Sequence, residues 1–148
     1  MIALAESCTA GLAADFIARV PGASEVFWGS FVVYVPDAKN KMLGVPGELL
    51  EKYGPVSRPV ALAMAECALE KSGASWAFSV TGLAGPGGDG SGVPVGTIWI
   101  GVAGREGRSQ AKMYLLEGSR NEIREAAVAA ALEDLLNRIQ EDIDRVEV

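Results

Sequence analysis

The segment Ala5-Glu6-Ser7-Cys8-Thr9-Ala10-Gly11 sets two hydroxyls and a thiol side by side, just after a short apolar stretch. In α/β proteins, chemistry gathers where a strand turns into a helix. Leu12, Ala13, Phe16, Ile17 and Val20 recur at roughly helical spacing until Pro21-Gly22 stops them, which predicts Ser7 to Thr9 at a helix N-terminus. Unpaired backbone N–H groups there can hold an anion or a developing oxyanion. Ser7 or Thr9 could equally serve as a plain helix cap. The sequence has no histidine, which excludes a Ser-His-Asp triad, a Cys-His pair and His-based zinc sites. An activated serine would need a carboxylate, a tyrosine, or a lysine whose pKa burial has lowered.

Tyr34 and Lys39 flank Pro36 where a second strand should end. With Ser7 nearby they would make a proton-transfer set: Ser7 as nucleophile, a buried Tyr34, and Lys39 either as base or as the charge that activates the tyrosine. Lys41 is equally charged and only two residues away, so spacing alone does not single out Lys39. The five-residue step and Pro36 also argue against the tyrosine-lysine pair of short-chain dehydrogenases. Gly85-Pro86-Gly87-Gly88-Asp89-Gly90 satisfies G-x-G-x-x-G, but the chain runs on into a strand and not a helix, so it is no dinucleotide fingerprint. Thr81, Gly82, Gly85 and their neighbours could still offer N–H groups to a phosphate or a carboxamide. Arg120 and Arg124 share a face on the opening turns of the last helix, against the helix dipole. A bound phosphate would offset that placement, as would solvent or a nearby carboxylate, Glu122 or Glu125.

The elements that must position these groups are legible in outline. Strands are predicted at Phe27 to Val35, Ala74 to Val80, Val95 to Val102 and Ser109 to Leu116, the last two as an antiparallel hairpin around Gly104-Arg105-Glu106-Gly107. Helices are predicted at Asp37 to Leu43, at Pro46 to Tyr53, from a Ser57 cap to Ser72, and after a Ser119-x-x-Glu122 capping box. The last helix should bury Ile123, Ala126, Ala127, Ala130, Leu135, Ile139 and Ile143. The order implies an α/β fold, a three-layer α/β/α sandwich on a mixed sheet. The loop from Thr81 to Pro94 carries six glycines and is too long for a simple connection, which points to a ligand loop.

The bulk numbers set limits. A chain of 148 residues, 49% hydrophobic, suits one domain with a real core. A net charge of −6 argues against a general nucleic-acid or anionic-membrane binder. The sequence offers no stretch of ~20 apolar residues and no leader pattern, so a cytoplasmic protein is expected. Cys8 and Cys67 have neither disulfide-framework density nor metal spacing.

Taken together, Ala5-Glu6-Ser7-Cys8-Thr9, Gly29 to Lys39, Met42-Leu43-Gly44-Val45, Gly54 to Pro59, Thr81 to Pro86 and Pro94 to Thr97 resemble the CinA C-terminal domain family. CinA denotes the competence/damage-inducible proteins, and stand-alone members of this family are nicotinamide mononucleotide deamidases. The resemblance implies a dimeric amidohydrolase of pyridine nucleotide salvage that converts the carboxamide to nicotinic acid mononucleotide and ammonia, with no metal or cofactor. It implies Ser7, Tyr34 and Lys39 as the catalytic set, and Cys8, Thr9, Gly82, Ala84, Gly85, Thr97, Arg120 and Arg124 as the substrate-binding set. The sequence departs from the pattern at Ala10, where the family usually has glycine, and at Val35-Pro36, where it usually has Ser-Asn. It also starts without the N-terminal helix and most of the first strand that the family carries. Two rival readings are a non-catalytic nucleotide-binding module and a hydrolase that depends on Cys8, since a thiol at a helix N-terminus can have a lowered pKa.

Overall fold

The computed structural model describes residues 1–146. A five-stranded mixed sheet forms its middle layer, in the order β2-β1-β3-β4-β5. The strands are β1 (Ile2–Glu6), β2 (Phe27–Val32), β3 (Trp76–Gly82), β4 (Thr97–Gly104) and β5 (Gln110–Leu115). β1 pairs in parallel with both β2 and β3, whereas β3, β4 and β5 are antiparallel. The helices are α1 (Leu12–Ala18), α2 (Pro36–Ala38) running into a π turn Lys39–Leu43, α3 (Gly47–Tyr53), α4 (Arg58–Ser72) and α5 (Arg120–Val146).

Strand alternation separates two cores. Leu4, Phe78, Val80, Ile98, Ile100 and Val102 pack toward α1 and α5, with Ala13, Ile123, Ala127 and Leu135. Ala3, Ala5 and Ala77 pack toward α4, with Val60, Met64 and Ala68. These are the two interfaces of an α/β/α sandwich. Small residues on the α4 face let that helix lie very close: a Cβ on Gly101 would sit 2.4 Å from the Ala61 carbonyl oxygen. Ser79 Oγ donates to that same carbonyl at 2.6 Å. Among the described residues, no helix is long and apolar enough to cross a membrane.

Several boundaries differ from the expected ones, for physical reasons. α1 begins at Leu12 because Ala10 (φ 48°) and Gly11 (φ 96°) are left-handed and cannot continue a right-handed helix. Ser7, Cys8 and Thr9 therefore occupy a turn before the helix and not its first turn. β2 stops at Val32, because β1, its one sheet neighbour among the described residues, ends at Glu6 and the next carbonyls turn to the Lys39 amine. β3 runs on through Thr81-Gly82, where a Cβ on Gly82 would lie 2.3 Å from Ile98 Cδ1. Ser57 stands at the start of α4 but donates its hydroxyl to Gly54 O at 2.8 Å and does not cap the helix. On α5, Ala126 and Ile143 are exposed, and Val128, Ala131 and Asp134 are buried in addition. Asp134 is accommodated by Tyr114 Oη at 2.9 Å and Lys112 Nζ at 3.0 Å. The capping box forms as expected, with Glu122 Oε1 accepting from Ser119 N (3.1 Å) and Ser119 Oγ from Glu122 N (3.3 Å).

Candidate active site

The carboxyl ends of the three parallel strands meet where the strand order reverses, the crevice in which open α/β sheets bind ligands. Ser7 follows β1, Tyr34 and Lys39 follow β2, and the Gly82 to Gly85 segment closes β3. A cleft of about 200 Å³ opens there, lined among others by Ser7, Cys8, Tyr34, Lys39, Ala84 and Arg120.

Lys39 is the centre of the arrangement. Its side chain is buried, with 1% of its surface exposed, and no carboxylate pairs with it among the described residues. Nζ lies 2.8 Å from Ser7 Oγ, 3.2 Å from Val33 O and 3.1 Å from Tyr34 O. An ammonium would fill all three acceptors. A neutral amine would donate its two hydrogens to the carbonyls, leaving its lone pair to Ser7 Oγ. Burial favours that neutral form, pushing the lysine down from 10.5 to about 8. Ser7 Oγ also lies 3.1 Å from Tyr34 O, so its hydroxyl can donate there while it accepts from an ammonium.

Tyr34 departs from expectation. Its side chain is half exposed, and its hydroxyl accepts from Arg120 Nη2 at 2.8 Å. The backbone carbonyl, and not the phenol, meets Ser7 and Lys39. Arg120 Nη1 donates to Gly85 O at 2.8 Å, so this arginine bridges the tyrosine and the Gly-rich loop across the cleft mouth. The Gly85 backbone is left-handed (φ 77°), and a Cβ there would lie 2.4 Å from Val95 Cγ1, which is why the loop needs glycine at that point.

Three residues expected to bind substrate lie away from the cleft. Thr9 is fully buried, with a hydroxyl that has no partner among the described residues. Thr97 is buried behind the loop, where its carbonyl accepts from Leu83 N at 3.0 Å. Arg124 is used up by the polypeptide: Nε reaches Cys8 O and Nη2 reaches Thr9 O, both at 2.9 Å. Cys8 does line the cleft, but burial pushes its thiol up to about 11, against the pull of its backbone hydrogen bond and of Lys39. A thiol held protonated is a poor nucleophile at neutral pH.

Glu6 escaped the sequence reading. Its buried carboxylate accepts from Ala13 N (2.8 Å), Ala14 N (3.3 Å) and Ser30 Oγ (2.7 Å). It caps α1 in place of Gly11, which has no side chain, and ties β1, β2 and α1 together beside Ser7. The first N–H groups of α1 are thereby occupied, which rules out the helix N-terminus as the oxyanion site. The available signal was a carboxylate at a strand end ahead of a glycine-started helix.

Comparison with known proteins places the chain in a family. Residues 1–139 match the CinA C-terminal domain. A CinA-like protein of Akkermansia muciniphila is 50% identical over 135 residues, covering 91% of this chain and 33% of that protein. A putative competence-damage inducible protein of Symbiobacterium thermophilum is 47% identical, covering 88% and 33%. The chain thus spans about a third of the length of these curated relatives. Among solved structures, the competence/damage inducible protein CihA of Agrobacterium tumefaciens superposes with a TM-score of 0.88 at 44% identity, covering 93% of this chain and 84% of that one. A CinA superfamily protein of Escherichia coli gives 0.88 at 32% identity, covering 91% and 78%. By the domain match over nearly its whole length, the chain belongs to the CinA C-terminal domain family.

Proposed function

We propose that this domain is a serine amidohydrolase that converts nicotinamide mononucleotide to nicotinic acid mononucleotide and ammonia. The observation that carries the reading is a buried lysine, with no acidic partner, 2.8 Å from a serine hydroxyl that lines a cleft. Neutral Lys39 takes the Ser7 proton as Oγ attacks the carboxamide carbon. The carbonyl π electrons move to oxygen, and backbone N–H groups after Ser7 hold the resulting oxyanion. The tetrahedral adduct collapses, and the Lys39 ammonium gives its proton to the leaving nitrogen, so that ammonia departs from an acyl ester on Ser7. A water, deprotonated by the same amine, then attacks the ester. The acid leaves, and the proton returns from Lys39 to Ser7 Oγ.

Arg120, at the cleft mouth, suits the substrate phosphate. Its bonds to Gly85 O and Tyr34 Oη leave a charge that a phosphate monoester would satisfy better than a phenol does. A coupled ammonia assay across nicotinamide mononucleotide, nicotinamide riboside, NAD and glutamine tests the reading. Preferred turnover of the mononucleotide, abolished in Ser7→Ala while the fold persists, is the expected result. Turnover surviving in Ser7→Ala, or absent from every amide in the wild type, would overturn it. The latter outcome with retained nucleotide binding would favour a non-catalytic module.

A further inference from the structure

The turn after Ser7 is held from behind by Arg124. This guanidinium donates to Cys8 O and to Thr9 O at 2.9 Å each, and Asn121 Oδ1 steadies its remaining nitrogen at 3.0 Å. Cys8 lines the cleft, whereas Arg124 does not, so the arginine approaches the turn from outside. A peptide unit is planar and trans, so its N–H points opposite to its C=O. A donor that grips Cys8 O therefore turns the Thr9 N–H away from Arg124.

The hydrogen bonding of the turn singles out the same groups. Ser7 N–H is tied to Val80 O at 2.9 Å, and Ala10 N–H to Ser7 O at 3.0 Å. Between them, Thr9 N–H has no partner among the described residues, and Cys8 N–H has none beyond the sulfur of its own residue. The Ser7–Cys8 peptide is held through its carbonyl by Ala10, and the Cys8–Thr9 peptide through its carbonyl by Arg124. Ala10 is in the left-handed region, a conformation that persists only when surrounding bonds over-determine it. Arg124 supplies two such bonds.

We infer that Arg124 is a positioning residue for the oxyanion site and not a substrate ligand. Its bond to Cys8 O sets the Thr9 N–H directly, and its bond to Thr9 O fixes the peptide whose Ala10 N–H holds Ser7 O and thereby orients the Cys8 N–H, so that both N–H groups meet the developing oxyanion. Its charge also polarises the Cys8–Thr9 peptide, which makes the Thr9 N–H a stronger donor. The inference rests on the hydrolase reading above.

The experiment compares the wild type, Arg124→Ala and Arg124→Lys by three measurements: kcat and KM for ammonia release, the rate of Ser7 labelling by a fluorophosphonate, and thermal melting. The phosphonyl oxygen of the probe occupies the oxyanion site without requiring an amide substrate. Removing one direct oxyanion donor costs ~100- to 1000-fold in kcat. Loss of a residue that acts through such donors is expected to cost Arg124→Ala about 10- to 100-fold in kcat, with KM changed less than about threefold and labelling slowed in parallel. Arg124→Lys should recover part of the rate, since one amine can reach one carbonyl, and added guanidinium should partly restore Arg124→Ala. Unchanged kcat and labelling in folded Arg124→Ala would overturn the inference. So would a rise in KM at constant kcat, which would mean direct substrate contact. If the wild type labels at Ser7 but releases no ammonia, the amide reading falls, and the labelling ratio still decides the role of Arg124. A wild type that neither labels nor turns over has no oxyanion site to position, and the inference falls with it.

Discussion

Lys39 offers the sharpest test, because the role proposed for it depends on one proton. Burial lowers the ammonium from 10.5 to about 8. At pH 7 this raises the neutral fraction about 300-fold, from roughly one molecule in 3000 to roughly one in ten. The expected kcat/KM for ammonia release therefore climbs about tenfold per pH unit from pH 6, bends near 8 and levels above it. Cys8, pushed up to about 11, does not titrate in this range, so Cys8→Ala should leave the bend in place. Lys39→Arg keeps the charge but cannot shed the proton, and should lower kcat/KM by about 10²–10⁴, the usual contribution of a general base. The same depressed pKa predicts a stability signature. Between about pH 8 and 10.5 the unfolded chain binds more protons at this site than the folded one, so stability should rise with pH across that window. Below it the fold carries the full cost of burying the ammonium, about 3 kcal/mol. Lys39→Met should lose both the activity and the pH-dependent rise in urea midpoint. A flat kcat/KM profile from pH 7 to 9, or full turnover by Lys39→Arg, would refute the reasoning and leave Lys39 as a fixed positive charge.

Arg120→Ala should raise KM for nicotinamide mononucleotide about ten- to a hundredfold, from loss of a charge-assisted contact of ~1.5–3 kcal/mol. It should barely change KM for nicotinamide riboside, which has no phosphate; equal losses on both would assign Arg120 to holding Gly85 and Tyr34 in place. Tyr34→Phe should keep most of kcat, since Ser7 and Lys39 contact the Tyr34 carbonyl and not its phenol, and a drop beyond about 100-fold would return the hydroxyl to the proton path. Glu6→Ala should lower unfolding free energy by about 2–4 kcal/mol in urea titration, because Ala13 N, Ala14 N and Ser30 Oγ lose a buried acceptor. Ala10→Gly should stabilise by about 0.5–1 kcal/mol, or roughly 2 °C in Tm, by relieving the left-handed alanine; a lower Tm would show that the turn carries no such strain.

Some of this protein is written locally in the chain. The α/β alternation, the β4–β5 hairpin and the Ser119/Glu122 capping box depend on periodicity and on turn residues a few positions apart, so the sequence alone sufficed for them. The missing histidines likewise narrowed the base to lysine, tyrosine or carboxylate before any geometry was available. What the sequence could not decide was which atoms of its candidate residues would be used. Lys39 and Lys41 are indistinguishable by type, and only the fold buries one at 1% exposure and leaves the other in a solvent-exposed pair with Asp37. Tyr34 contributes its carbonyl to the lysine and its phenol to Arg120, a division set by where β2 leaves the sheet. Arg120 and Arg124 sit four residues apart on one helix, yet one reaches the cleft mouth and the other the back of the Ser7 turn. The physical reason is common to all three cases. Desolvation and hydrogen-bond partnership come from segments far apart in sequence, 32 residues for Lys39 with Ser7 and 116 for Arg124 with Cys8, so only tertiary packing can assign them.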